Sequence, residues 1–395
     1  MRINGPIAYI ALYVALYAAF GAASPYWPKF FETRALTPQQ IGSILAAAIL
    51  VRLVSGPCVG RLADVFGSLR LVFASCAALA AGMALALIWA DRSWLLLLLT
   101  LAQAAALAPT TSIADALSVN AAKPQIAGKP FEYGWIRGSA SAAFVLGTLL
   151  VGQLIGPGDL TPIIWINATL LIAAACATAL VPAVTTQVTP NTEQSLAARK
   201  VHGLFSIRRF RILIFVSALV YGSHAMHDAF AVIRWSNAGI GTSVISILWS
   251  EAVAAEVFVF FLVGPALIDR FGVHGAATLA AAAGIIRWLI AGVTTSVVLL
   301  SIIQPLHGLT FALLHLACMR MMGTLVPIRL AATAQALYAF SAGVVTAALT
   351  SLSGILYARY AGAAFFPMAA LCVVALPFAW FGFVGEGRDR SVSFL

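Results

Sequence analysis

An all-α integral membrane protein, with twelve transmembrane helices in two pseudo-symmetric six-helix bundles, is the fold class this sequence predicts, on three observations. The chain has 395 residues, of which 62% are hydrophobic and only 9% charged, where a soluble domain is about 25% charged. Apolar windows of about 20 residues, enough to cross the hydrocarbon core of a bilayer, recur along nearly the whole length with short breaks. A polar stretch near the middle, with a short string repeated on either side of it, divides those windows into two sets of six. Transmembrane β-strands would be about ten residues long and strictly alternating. These windows are about twice that length and apolar all round, so helices are the reading.

The first window, 6–30, runs on into PYWPKFF and is followed by others, so it reads as a helix rather than a cleaved leader. The next five are 39–60, 69–90, 94–118, 133–155 and 161–182. Residues 183–207 then form the longest polar connection, which sets a first bundle at 1–182 apart from a second at 208–395. The second holds 209–234, 242–266, 273–292, 295–319, 330–354 and 362–384.

Basic residues orient the helices. With the N-terminus inside, fifteen of the 23 Lys and Arg fall on the inner side, five (Lys29, Arg34, Arg92, Arg234, Arg359) on the outer, and three within spans: Arg52, Arg137 and Arg287. The excess of positive charge on inner loops places both termini in the cytoplasm of a bacterial inner membrane. It also accounts for the net charge of +10 without a nucleic-acid partner. The five cysteines lie in apolar runs with no CxxC pair, which predicts neither a disulfide nor a zinc cage. No Walker loop, Gly-x-Ser-x-Gly elbow or HExxH string is present, so neither an ATP-driven pump nor an intramembrane enzyme has support, and no cofactor is expected.

The repeated string is LADVFG (Leu62 to Gly67) after the second window and LIDRFG (Leu267 to Gly272) after the eighth, with four of six letters shared. In its longer form, GRLADVFGSLR, it carries Gly60, Leu62, Asp64, Gly67 and Arg70. This resembles the signature loop of the major facilitator superfamily, which implies two six-helix bundles working by alternating access. It also implies a conformational gate at Gly60, Asp64, Gly67 and Arg70, with Asp269 and Arg270 in the second copy. YGWIRGSAS (Tyr133 to Ser141), SHAMHDAFAVIRWSNAGI, LWSEAVAAEVFVFF, LHGLTFALLHLACMR and RLAATAQALYA are similar to the branch of phenylpropionic acid permeases, related to the lactose permease and nucleoside:proton symporter groups.

An ionisable side chain at mid-membrane costs at least about 2.5–3.5 kcal/mol on insertion scales, so each one predicts a partner or a role. The first half holds Arg52, Asp115, Glu132 and Arg137; the second holds His224, His227, Asp228, Glu251, Glu256, Arg287, His307 and His315. Histidine exchanges protons near neutral pH, and desolvation makes a carboxyl group hold its proton to higher pH. A Glu, Arg and His set on neighbouring helices is therefore a plausible proton switch. The lactose permease resemblance matches it to Glu251 or Glu256, Arg287, and His307 or His315, with Asp228 beside them; Glu256 is favoured as the coupling acid. Span ten has no Glu, which departs from that pattern.

His224, His227 and Asp228 share one helical face, as metal ligands do. A third fixed ligand is missing from the string, so a metal site is not expected; Asp228 is expected to partner His224. Arg52 is expected either to snorkel or pair with Asp115, or to meet substrate. Tyr26, Trp27, Tyr133, Trp249, Gln335 and Tyr338 offer aromatic and polar walls suited to a planar, partly apolar solute. Arg137 or Arg287 offers a fork for a carboxylate, and His224 a further substrate contact. Together these readings predict a secondary transporter, monomeric in the bilayer, that couples protons to a small organic solute, an aromatic or other monocarboxylate before a nucleoside, a sugar or an efflux substrate. A membrane sensor on the same scaffold is the reading outside transport.

Overall fold

The computed structural model describes residues 5–121, 133–156, 158–181, 203–327 and 330–383, and the regular structure among them is entirely helical. Seven continuous stretches are long and apolar enough to span a bilayer on those grounds alone. Two of these, Thr242–Val293 and Ala331–Gly382, hold two passes each. The first turns at Gly272 (φ 69, ψ 174), and the second at Ala361 (φ 45) with the short 3-10 turn Ala361–Phe365.

In the first half, span one is Gly5–Ala23 with Trp27–Thr33, span two Pro38–Phe66, and span three Leu69–Ala86. Span four is Ser93–Leu107 with Thr110–Ala121, span five Tyr133–Leu154, and span six Thr161–Ala177. In the second half, span seven is Arg208–Gly222 with Ala225–Asn237, and span eight is Thr242–Phe258, extended through a π-turn at Val259–Val263. Span nine ends at Val293, and span ten comprises Val297–Ile303, a π-turn at Gly308–Leu313, and Leu314–Leu325. Spans eleven and twelve are Ala331–Tyr360 and Phe366–Gly382.

Spans one, four, seven and ten are each interrupted, a spacing of three. Pro25, Pro109 and Pro305 stand at three of the breaks, where the missing N–H and the ring's clash with the preceding turn end the hydrogen-bond ladder. The fourth break falls at Ser223 and His224 without a proline. There Ser223 Oγ donates to Val220 O (2.6 Å) and accepts from Trp288 Nε1 (2.8 Å) on span nine.

Packing follows the same symmetry. Span one packs on five and six, three on four and six, and two on four. Adding six to each number gives the second half: seven on eleven and twelve, nine on ten and twelve, and eight on ten. The halves meet where span two lies on eleven and span five on eight. Because lipid is as apolar as leucine, such contacts depend on close fit and interhelical hydrogen bonds rather than on exclusion of water. Thr148 Oγ1 of span five, donating to Gly21 O of span one at 2.8 Å, is one such bond.

Hydrogen bonds between the halves cluster on one side. Lys29 Nζ donates to Asn237 Oδ1 (2.9 Å), Asn237 Nδ2 donates to Glu32 Oε1 (3.1 Å), and Thr242 Oγ1 donates to Ile155 O (3.0 Å). All lie on the face away from the terminal helices' free ends, and among the described residues none joins the halves at the opposite, terminal face.

The repeated string is not a loop. Leu62–Phe66 and Leu267–Phe271 are the last helical turns of spans two and eight, so both helices run beyond their expected ends. Only the glycine breaks each one: Gly67 (φ 63) and Gly272 (φ 69) take the left-handed conformation that a side chain would resist. The repeated string, through its shared glycine, thus encodes the same stop at equivalent places.

Candidate functional site

The buried guanidinium of Arg287 on span nine organises the polar interior of the second half. Its Nη1 faces His307 Nδ1 at 3.1 Å, and its Nη2 donates to Gln304 Oε1 at 3.0 Å. Gln304 Nε2 faces His227 Nε2 at 3.4 Å, and His227 Nδ1 faces Asp228 Oδ1 at 3.3 Å. On the other branch His307 Nε2 is 3.5 Å from Glu256 Oε2.

An arginine can only donate, and that fixes the direction of every later bond. His307 Nδ1 must accept, so its proton sits on Nε2 and points at Glu256. Gln304 accepts at Oε1, so its amide donates to His227 Nε2, whose remaining proton on Nδ1 is donated to Asp228. Two neutral histidines and one amide therefore connect a single cation to two carboxylates. These tautomers follow from the donor logic of the network.

Side chains around the network hold it in place. Trp288 is fully buried, and the Arg287 guanidinium lies 4.5 Å from its ring centroid. His227 stacks on Trp249 at 5.0 Å, and His224 lies 5.1 Å from His307 and edge-on to Trp288 at 5.3 Å. Cys372 Sγ donates to Ser223 Oγ at 3.4 Å behind Trp288. The partner of Asp228 is His227, not the expected His224, because the helix restarts at Ala225 and turns His224 towards span ten. His224 Nε2 is buried without a partner. No group of three or more His, Cys, Asp or Glu among the described residues is arranged to hold a metal ion.

Span ten reaches this position through a close approach. A Cβ placed on Gly308 would lie 2.6 Å from Ala255 O of span eight, so only glycine lets His307 come alongside Glu256. Both helices form π-turns immediately afterwards, at Val259–Val263 and Gly308–Leu313. Such insertions occur frequently at functional sites. Glu251 points elsewhere, beside Ser301, as its angular separation from Glu256 on one helix requires.

A cavity of about 200 Å³ lies between the halves. Its apolar wall includes Phe20, Trp27 and Phe31 of span one; its polar groups include Thr100, Gln103, Asn167 and two charged residues, Arg52 and Asp228. Gln103 Nε2 donates to Asn167 Oδ1 (3.2 Å) and Asn167 Nδ2 to Ala19 O (2.9 Å), which fixes that corner. Asp228 is thus shared: it lines the cavity and ends the Arg287 network.

Other expected contacts lie apart from this cavity. Tyr26 is buried at the junction of the halves near Ser246. Tyr338 is buried in the second half, bonded to Tyr221 OH at 2.8 Å and facing His315 Nδ1 at 3.3 Å, while Gln335 is exposed one turn earlier. Arg137 Nη1 donates to Tyr17 OH (2.6 Å) and lies 3.6 Å from Asp115 Oδ1, which also accepts from Tyr13 OH at 2.5 Å. The expected pairing of Arg52 with Asp115 is therefore not made, since Arg137 takes that carboxylate. Tyr133 opens span five and Asp64 falls in the last turn of span two; their side chains lie outside the described residues. Asp269 pairs with Arg320 Nη1 at 2.5 Å, and Arg270 packs over Phe271 at 5.4 Å. A Cβ at Gly60 would meet nothing, and Arg70 starts span three.

Comparison with known proteins places this geometry. The model of the MFS_1 like family matches residues 7–368. A probable 3-phenylpropionic acid transporter of Escherichia coli (strain K12) is 32% identical over 377 residues, covering 92% of this chain and 94% of that protein. A maltose permease of Geobacillus stearothermophilus is 25% identical over 365 residues, covering 92% and 90%. Among solved structures, the nucleoside transporter NupG matches with a TM-score of 0.84 at 18% identity, covering 97% of this chain and 100% of that one. A bacterial homologue of the human lysosomal transporter Spinster, inward-facing and unoccupied, matches at 0.74 and 14% identity, covering 95% of each. At those identities the solved structures establish the fold alone.

Proposed function

The chain belongs to the MFS_1 like family and is a major facilitator superfamily transporter, and from that premise we propose that it carries a small organic acid, an aromatic or other monocarboxylate, together with a proton. The observation that carries this reading is the position of Asp228, which lines the cavity and is tied through His227, Gln304, Arg287 and His307 to Glu256. A carboxylate that touches both the solute space and a network of titratable groups lets loading of one alter the charge of the other. Glu256 is the coupling acid in this reading, with Arg287 as the cation it shares with Asp228.

Transport proceeds by alternating access of two bundles, 1–182 and 208–395, joined by the connection 183–207. The terminal face lies in the cytoplasm of a bacterial inner membrane, in keeping with the basic residues on that side, and the hydrogen bonds that join the halves at the other face fit the inward-facing state of that cycle. The gate comprises the two repeated strings, where Asp269 and Arg320 tie spans eight and ten at the terminal face. The resemblance to a probable 3-phenylpropionic acid transporter supports an aromatic acid as solute, and one protomer contains the whole path.

The test is uptake of labelled 3-phenylpropionate by the purified protein in liposomes under an imposed proton gradient. Accumulation that a protonophore abolishes is expected. Entry that is unchanged when the gradient collapses would remove the coupling.

A further inference from the structure

Of the three arginines that the sequence places within apolar spans, two are committed to protein partners: Arg287 to His307 and Gln304, and Arg137 to Asp115 and Tyr17. Arg52 has neither a hydrogen bond nor an ion pair among the described residues, and its side chain is accessible from the cavity that it lines. It stands near the midpoint of span two, Pro38–Phe66, about 20 Å of helix from either end at 1.5 Å per residue. It therefore cannot reach headgroup phosphates at the membrane surface. A cation at that depth is expensive unless something answers its charge.

The cavity's other charged residue already has a protein partner. Asp228 accepts a hydrogen bond from His227 at 3.3 Å, whereas Arg52, the other charged residue lining the cavity, has no protein partner among the described residues. A second donor lines the same space: Thr100 Oγ1 is buried and makes no hydrogen bond among the described residues. Between them and the rings of Phe20, Trp27 and Phe31 there is room for one aromatic ring and a short acid. The volume of about 200 Å³ falls below the roughly 300–1,000 Å³ of pockets for drug-sized ligands.

We propose that Arg52 is the carboxylate receptor of this protein, holding the acid group of a one-ring organic anion whose ring lies on the aromatic wall of span one. Thr100 donates a further hydrogen bond to the bound acid. The assignment rests on the reading of the solute as a monocarboxylate, and it gives the recognition of charge to span two rather than to Arg137 or Arg287. A planar guanidinium fork binds a carboxylate with two parallel bonds, so selection between an acid and its neutral analogue resides in this one side chain.

The test compares binding of 3-phenylpropionate, neutral 3-phenylpropanol and zwitterionic phenylalanine to the full-length purified protein by titration calorimetry. The acid is expected to bind best. Arg52→Gln should weaken the acid by at least about 30-fold, as for loss of one partner of a desolvated charge pair, and the alcohol by less than about threefold. Arg52→Lys keeps the charge but loses the fork, and should fall between; it decides the matter if Arg52→Gln does not fold, and unchanged acid binding in it would overturn the assignment. If the wild-type protein binds none of the acids, the solute class is wrong and this assignment falls with it. If wild type binds the acid and Arg52→Gln binds it equally well, or loses acid and alcohol alike, the solute class stands and Arg52 is not the receptor. Tighter binding of phenylalanine than of 3-phenylpropionate would give Asp228 an ammonium group to hold, and would overturn the anion assignment.

Discussion

His307 stands between a cation and an anion, with Nδ1 3.1 Å from Arg287 and Nε2 3.5 Å from Glu256. Since the arginine can only donate, the imidazole's single proton is turned towards the carboxylate. Glu256→Gln keeps the shape of the acceptor and removes its ability to take a proton. We expect proton-driven accumulation in liposomes to be lost while solute exchange at equal pH is partly retained. Wild-type accumulation by that variant would take the coupling role away from Glu256.

Among the described residues Gln304 is the one bridge between the Arg287 and Asp228 ends of the network. Gln304→Leu leaves Arg287 Nη2 and His227 Nε2 buried without partners, at a cost of about 1–3 kcal/mol for each stranded group. A clear fall in the unfolding midpoint in detergent is expected, together with a loss of coupling between solute and proton fluxes. Gln304→Glu restores an acceptor for Arg287 and should recover most of the stability without the coupling. Equal midpoints for the leucine variant and wild type would argue that water replaces the bridge.

Gly308→Val tests the close approach of spans eight and ten. The added Cβ meets Ala255 O at 2.6 Å, against backbone that has no flexible end to move. Overpacking of this kind costs about 1–3 kcal/mol, and the displaced helix carries His307 away from Glu256. Accumulation should drop as far as in Glu256→Gln, with expression and membrane insertion preserved. A fully active valine variant would show that the approach is dispensable.

Arg137 and Asp115 form a half-exposed pair at 3.6 Å, so their mutual contribution to stability is at most about 1 kcal/mol. Arg137→Gln is expected to slow transport of an acid and of its neutral analogue to the same degree, and Asp115→Asn to do likewise without adding to it. A far larger rise in the apparent KM for the anion alone would return Arg137 to the solute site.

The sequence revealed the architecture because its signals are local: apolar length gives the spans, and the repeated string gives the symmetry and its two glycine stops. The interrupted helices were partly legible, through Pro25, Pro109 and Pro305. The break at Ser223 carries no such mark, since it is held by Trp288 from another helix. Ionisable residue types together with the lactose permease resemblance pointed to Glu251 or Glu256, Arg287, and His307 or His315 as a set, but Gln304 was missed. A neutral amide raises no alarm in an apolar run, and only its position between a donor and an acceptor makes it a bridge. Arg52 and Arg137 are alike as letters; which of them has Asp115 as neighbour depends on how spans two, four and five pack. The same limit applies to Tyr338, whose partners Tyr221 and His315 come from separate spans.

The guanidinium at the centre of the Arg287 network has a further consequence. It keeps its proton under all ordinary conditions, so a proton arriving at Asp228 cannot be relayed through it to Glu256. The two acids sense each other's charge across an insulating link. A resting protein with an empty cavity therefore offers no continuous wire through these bonds, and the membrane's proton-motive force is not short-circuited along them. In the proposed cycle, exchange of protons between the two sides would then depend on helices moving, tying each proton that crosses by this route to a turn of that cycle.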